Sequence, residues 1–347
     1  MKILIIGTGP GGTSLAFDLL EQGVDASVTD MPVFQTNLDC LLKNDGVIEV
    51  FGIRPGKARL QVVHFEKIDD YDYWFVVTHA FAHLGISKIL ETSRKKCRGV
   101  IFMPGNLGSL FFHSCRTSHP DIALVETNTL PYGCRITSKN PWHILRSVWT
   151  QSVLFDSEIQ KLPELIPLLR LIIPKLAVGA SKISVALSNP NPLFHPTISL
   201  LNAARIENER GDFIFYKDGL SSGVMSVLRE KNKERMNILR VIKEKGFSWE
   251  EFTGTILSHD DSGTLEEKHF LECGAFAKFL APENFGHRYI TEDVPFGTVL
   301  WEAIAQLYNI HTPTLSSEID LLSAIAQQPF RQQSLHYLPL IKKQLSL

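Results

Sequence analysis

The sequence predicts an α/β chain in two parts: strands alternating with helices over residues 1–187, then an all-helical domain over 188–347. Three observations carry this. An apolar strand pattern opens directly into a glycine loop at residues 7–12. Strand and helix patterns then alternate as far as residue 187. Past a proline-punctuated stretch at 188–196, only helical periodicity remains.

Residues 2–6 (KILII) read as a buried strand, followed at once by Gly7-Thr8-Gly9-Pro10-Gly11-Gly12. A helix pattern covers 13–22, and a second strand, 26–29, ends at Asp30. This is the order of a Rossmann-like dinucleotide-binding unit. The first glycine permits the tight turn, the second lets backbone approach a pyrophosphate, and the last lets helix pack on strand. The amides at the helix start then face the phosphates with the positive end of the helix dipole. The loop residues Gly7, Thr8, Gly9, Pro10, Gly11 and Gly12 are therefore the expected cofactor cradle. Asp30 lies 18 residues past Gly12, where a carboxylate accepts hydrogen bonds from ribose hydroxyls and opposes a 2′-phosphate. With no arginine close behind it, NAD is expected over NADP.

Segments 46–52 and 58–65 read as a hairpin-like insertion. A strand at 72–78, an amphipathic helix at 84–98, and strands at 99–103 and 122–127 follow. The loops at 78–83, 104–109 and 126–134 should then lie on the carboxyl edge of a parallel sheet, where such sheets bind ligands. Thr78 and Glu126, at the ends of two of these strands, are candidate cofactor contacts; Glu126 serves equally well as a turn cap. His79 and His83 are four apart, but with no Glu between them and no third ligand no metal site is expected. Residues 142–186 carry strands at 144–149 and 152–155, a helix at 158–173, and a last strand or bridge at 183–187.

The junction reads SNPNPLFHP (188–196). Each proline removes a backbone donor and biases its predecessor toward extended geometry, so Ser188 to Asn191 are expected outside regular structure. Helices are expected at 197–209, 220–245, 264–280, 296–309 and 316–327. Ligand sites favour clefts between domains, which singles out His195 at the start of the second one. A second segment, GHRYITEDVPFG (286–297), sets Arg288, Glu292 and Asp293 in a short loop. Either acid could simply cap the helix that follows Pro295. Alternatively, a histidine polarised by a carboxylate exchanges protons near neutral pH, and an arginine holds an acidic substrate bidentately. His195, Asp293 and Arg288 supply those three types.

The chain has 347 residues, a formal net charge of −2 and 44% hydrophobic residues. That balance suits two domains with sizeable cores and gives no electrostatic case for nucleic acid or an anionic membrane. Neither a membrane-spanning run nor the apolar region of a signal peptide is present. Five cysteines (40, 97, 115, 134 and 273) fall at no zinc or redox spacing. Reduced thiols and a cytoplasmic location are expected.

The chain resembles the opine dehydrogenases of the octopine, nopaline and N-(1-carboxyethyl)norvaline type. The motifs that carry the likeness run the whole length: GTGPGG (7–12), ETNTLPYGCR (126–135), NPNPLFHP (189–196), LLNAARIE (200–207) and HRYITEDVP (287–295). The resemblance implies a Rossmann-like domain joined to an all-helical one. It places His195 on the family's catalytic histidine, Asp293 on its acidic partner and Arg288 on the arginine that holds the oxo-acid carboxylate. Asn191 matches an asparagine near the reacting centre. The implied reaction is an NAD-linked reductive condensation of a 2-oxo acid, pyruvate by default, with the amino group of an amino acid. An imine forms and takes hydride at its carbon. The implied partners are those two small molecules, for a monomer or homodimer. Two other readings stay open: a related two-domain reductase that turns a 2-oxo acid into a hydroxy acid, and an NAD-binding sensor without turnover.

Overall fold

Strand β1 (Lys2–Ile6) buries four consecutive residues because both of its faces are covered. Successive side chains of a strand point to opposite faces, so Ile3 and Ile5 join one core with Leu15, Phe17 and Leu19. Leu4 and Ile6 join another with Ile86 and Leu90. The computed structural model describes residues 1–92, 97–117, 119–150, 152–173, 175–251 and 279–346. The chain divides into two units, Met1–Ala180 and Ser181–Leu347.

In the first unit, β2 (Asp25–Thr29), β5 (Gln61–Val62), β6 (Tyr73–Val76), β7 (Gly99–Phe102) and β8 (Ala123–Glu126) join β1 in a six-stranded sheet. The sheet runs β5-β2-β1-β6-β7-β8 and every neighbouring pair is parallel. From β1 the strand order proceeds to one side and then crosses to the other, so β1 and β6 flank the topological switch point. The expected hairpin is only half present. β3 (Val47–Gly52) does pair with β4 (Gly56–Arg59), but the chain breaks at buried Leu60 and β5 (Gln61–Val62) adds instead to β2.

A second sheet, β4-β3-β10-β9, is completed by β9 (Tyr132–Lys139) and β10 (Trp142–Trp149). It explains why helix α1 (Pro10–Glu21) has no exposed face over Gly11–Leu19. Arg146 of β10 donates to Asp18 Oδ1 at 3.0 Å and to the Ser14 carbonyl at 2.6 Å. Tyr132 of β9 donates to Asp18 Oδ2 at 2.5 Å. A buried carboxylate persists only when paired and hydrogen-bonded in this way, and the network clamps the helix that carries the glycine loop.

The second unit is built from helices: α5 (Lys182–Leu187), α6 (Pro190–Leu201), α7 (Ala203–Glu209), α8 (Phe215–Asp218) and α9 (Ser222–Val241). Later come a short helix at Arg288–Thr291, a π turn at Val294–Thr298 and helices at Val299–Leu307 and Pro313–Ala326. Two sequence expectations are corrected here. Residues 183–187 form a helix rather than a strand, capped by Ser181, whose hydroxyl accepts from Ser184 N at 3.0 Å. All six residues of that helix are buried, so no periodicity betrays it. Helix α6 starts at Pro190, not at residue 197. Asn189 caps it by accepting from Asn191 N, and Pro190 and Pro192 fall in the first turn, where backbone N–H groups have no intrahelical acceptor. The expected boundary at 187/188 thus falls at the end of α5, seven residues past the division at 180/181. The helix expected at 264–280 lies, but for its last two residues, outside the described part.

Candidate active site

The glycine loop links β1 to α1. A Cβ on Gly12 would stand 1.9 Å from the Gly7 carbonyl oxygen, and one on Gly7 2.2 Å from the Val77 carbonyl oxygen. Gly9 instead faces open space. No side chain caps α1 and no acid occupies its first turn. Uncapped amides beside a surface cleared of side chains are what a pyrophosphate requires, so Gly7, Thr8, Gly9, Pro10, Gly11 and Gly12 fit a dinucleotide. Asp30 ties this loop to the end of β2. Its Oδ2 accepts from Thr8 N at 2.8 Å and Thr8 Oγ1 at 2.5 Å, and its Oδ1 from Met31 N at 2.9 Å. Burial raises its pKa, and those hydrogen bonds offset part of the rise.

Thr78 follows β6, and its Oγ1 is buried without a hydrogen-bond partner among the described residues. Of the two readings open for Glu126, the geometry is that of the turn cap. The residue is fully buried, and its carboxylate accepts from Leu107 N, Ser109 N and Ser109 Oγ. His79 is exposed and stacks on Phe81. His83, in α3 (His83–Thr92), is fully buried, and burial pulls its pKa down to about 3. No group of three potential metal-binding side chains occurs among the described residues, and no helix among them is long and apolar enough to cross a membrane.

In the second unit, α6 carries Asn191 and, one turn on along the same face, His195. Asp293 approaches from the far end of the sequence, with its Oδ2 2.7 Å from His195 Nδ1. It sits at the N-terminal end of the π turn, whose Thr298 N donates to the Asp293 carbonyl. Gly297 makes the approach possible, because a Cβ there would stand 2.2 Å from Pro192 Cγ. A carboxylate can only accept, so His195 carries its proton on Nδ1 and Nε2 is left as an acceptor. There it meets the Tyr216 hydroxyl of α8 at 2.6 Å. Tyr289 stacks on the imidazole with ring centroids 3.7 Å apart and planes at 17°. Burial lowers the His195 pKa; Asp293 opposes this, while Arg288 and Lys231 add to it. The ring is therefore neutral near pH 7, tautomerically fixed and next to a neutral donor. Burial, with Tyr289 and Asp293 adding to it, holds the Tyr216 phenol well above its ordinary pKa.

Arg288 opens the short helix before Asp293 and is exposed. Its guanidinium lies over the Tyr289 ring at 5.8 Å. Among the described residues no side chain forms an ion pair with it. A cation left in that state beside the histidine suits capture of an acidic ligand.

Behind the pair lies an ion pair that the sequence did not disclose. Lys231 Nζ is 2.5 Å from Glu318 Oε1 and 2.5 Å from the Pro192 carbonyl. Pro196, four residues on, has no N–H to give that carbonyl, so the lysine takes the place of a missing helix bond. The sequence gives one hint. In α9 the buried positions Val224, Leu228, Lys231, Arg235 and Ile238 form one helical stripe, so two cations fall on the apolar face. Tyr216 left no spacing signal at all.

The chain is similar in sequence and in fold to opine dehydrogenases. Residues 178–326 match the family model described as "NAD/NADP octopine/nopaline dehydrogenase, alpha-helical domain". A vitopine synthase of Allorhizobium ampelinum is 27% identical over 264 residues, covering 72% of this chain and 69% of that protein. An opine dehydrogenase of Arthrobacter sp. is 24% identical over 270 residues, covering 77% and 74%. Among solved structures, octopine dehydrogenase with NADH and L-arginine has a TM-score of 0.73 at 14% identity, covering 100% of this chain and 98% of that one. Yersinopine dehydrogenase with NADP+ bound has a TM-score of 0.71 at 11% identity, covering 100% and 99%. At these identities the structural likeness is one of fold: a Rossmann-like unit followed by a helical one.

Proposed function

We propose that the protein is an NAD-dependent opine dehydrogenase, on the premise that residues 178–326 match the helical-domain model of the octopine/nopaline dehydrogenases. It condenses a 2-oxo acid, pyruvate or a close analogue, with the amino group of an amino acid and reduces the resulting imine to a secondary amine dicarboxylate. When bound, the dinucleotide supplies the hydride that adds to the imine carbon.

The observation that carries this reading is the buried His195–Asp293 pair at 2.7 Å, with exposed Arg288 a few residues from its acid. His195 takes up the proton that the incoming ammonium loses and later supplies the one that leaves with the carbinolamine oxygen. Asp293 fixes the tautomer and stabilises the imidazolium formed in between. Arg288 binds the oxo-acid carboxylate and so sets the carbonyl carbon in place for attack. Asn191, one turn before His195, contacts the substrates. Residues 7–12 hold the pyrophosphate, and Asp30 lies on the ribose side. Because the Asp30 carboxylate accepts three hydrogen bonds from its own chain, it acts first by fixing the loop, and its preference for NAD over NADP follows from its charge.

The test is NADH oxidation by purified protein with pyruvate, and separately 2-oxoglutarate, each with and without pooled amino acids. Oxidation that requires the amine is expected. Oxidation with the oxo acid alone would mark a hydroxy-acid reductase and overturn the proposal. NADH binding without oxidation under any combination would point to a sensor.

A further inference from the structure

The catalytic histidine assigned above has no ring nitrogen left for a substrate. Nδ1 is engaged by Asp293 at 2.7 Å and Nε2 by the Tyr216 hydroxyl at 2.6 Å. One face of the ring is closed by Tyr289, and the residue is almost fully buried. A proton leaving or reaching Nε2 must therefore cross the phenol oxygen. A hydroxyl suits that position, since it donates one proton and accepts through two lone pairs. The ring that carries it is held from other sides by Phe215 and Phe279, with centroids 5.1 and 6.2 Å away, which keeps the oxygen on the imidazole.

We propose that Tyr216 is a catalytic residue of this enzyme, carrying the proton between His195 Nε2 and the condensing substrates. The relay rests on the condensation reaction proposed above and balances as follows. The amino acid's ammonium gives one proton to the Tyr216 oxygen as the phenol proton moves to Nε2, leaving a free amine and a His195 imidazolium. The amine attacks the oxo-acid carbonyl carbon, and its second ammonium proton ends on the oxygen, giving a neutral carbinolamine. Tyr216 then donates to the carbinolamine hydroxyl, the C–O bond breaks, water leaves, and Nε2–H reprotonates the phenol. The iminium that remains is the species a bound dinucleotide would reduce to the secondary amine. The phenol stays neutral before and after each transfer.

Tyr216→Phe removes the oxygen and keeps the ring. With the amino acid and oxo acid identified for the wild type, kcat is expected to fall roughly 10²-fold, with NADH affinity unchanged. The double variant Tyr216→Phe/His195→Asn should be no slower than His195→Asn alone, because both residues serve one proton path. 3-Fluorotyrosine at position 216 keeps size and packing but makes the phenol more acidic. A relay predicts that kcat and its pH profile shift with that substitution, whereas a packing role predicts no change. Retention of kcat within a factor of about three in Tyr216→Phe, or losses that multiply in the double variant, overturns the proposal while leaving the dehydrogenase assignment in place. A wild-type protein with no amine-dependent turnover would remove both.

Discussion

Asp293 and His195, 98 residues apart in sequence, meet at 2.7 Å because one glycine lies against one proline. Gly297 lets the π turn after Asp293 close onto Pro192 in the first turn of α6, and His195 stands one turn farther along that helix. The pair is thus placed by two rigid elements and not by a loop, the arrangement that a fixed tautomer needs.

Asp293→Asn keeps the shape of the side chain but can present its amide to Nδ1, which favours the opposite tautomer. Amine-dependent NADH oxidation should fall by roughly 10²–10⁴-fold in kcat. The NADH dissociation constant should be unchanged, since the glycine loop belongs to the other unit. Steady-state kinetics alongside NADH fluorescence titration checks both.

Arg288→Lys keeps the charge and loses the planar fork that matches a carboxylate. The expected outcome is a KM for the oxo acid raised about 10–100-fold, with a smaller effect on the KM of the amino acid. An equal rise in both would mean that Arg288 does not select the oxo-acid carboxylate.

The sheet and its glycine loop were legible because their signals are local: a five-residue apolar run, three glycines and an acid at the end of the next strand. The partners of the site were legible only as residue types, because Asp293 reaches His195 through tertiary packing that no spacing records. The junction was misread for a definite reason. Prolines 190 and 192 look like breakers in the sequence, whereas in a first turn they start a helix. Lys231 falls inside the helix expected at 220–245, where nothing singles it out. Its burial depends on the carbonyl that Pro196 leaves unbonded and on Glu318, 87 residues away.

That buried pair should matter to stability. Lys231→Met leaves the Glu318 carboxylate and the Pro192 carbonyl without their cation, and breaking a buried pair costs about 3–5 kcal/mol. Adding Glu318→Leu removes the orphaned charge. Thr197, which donates to Glu318 Oε2, then keeps the Leu193 carbonyl as its acceptor at 3.3 Å. The double variant should therefore unfold at higher denaturant than Lys231→Met alone, as read from urea melts.

His83 makes a prediction about pH. Both of its ring nitrogens are buried without a hydrogen-bond partner among the described residues, and burial pulls its pKa from 6.5 to about 3. The unfolded chain binds a proton near pH 6.5 while the folded chain does not, so the unfolded state holds more protons between those values. The stability tied to a neutral His83 is fully present above pH 6.5 and is lost as the pH falls toward 3. Between pH 7 and pH 5 that loss amounts to about 2 kcal/mol for one such histidine. His83→Leu has no proton to bind. It also removes two polar atoms that folding leaves unsatisfied, so it should match or exceed wild-type stability at pH 7. Its unfolding free energy should then change less between pH 7 and pH 5 than that of the wild type, by about 2 kcal/mol. Equal slopes for the two proteins would mean that His83 finds a proton acceptor in the folded state.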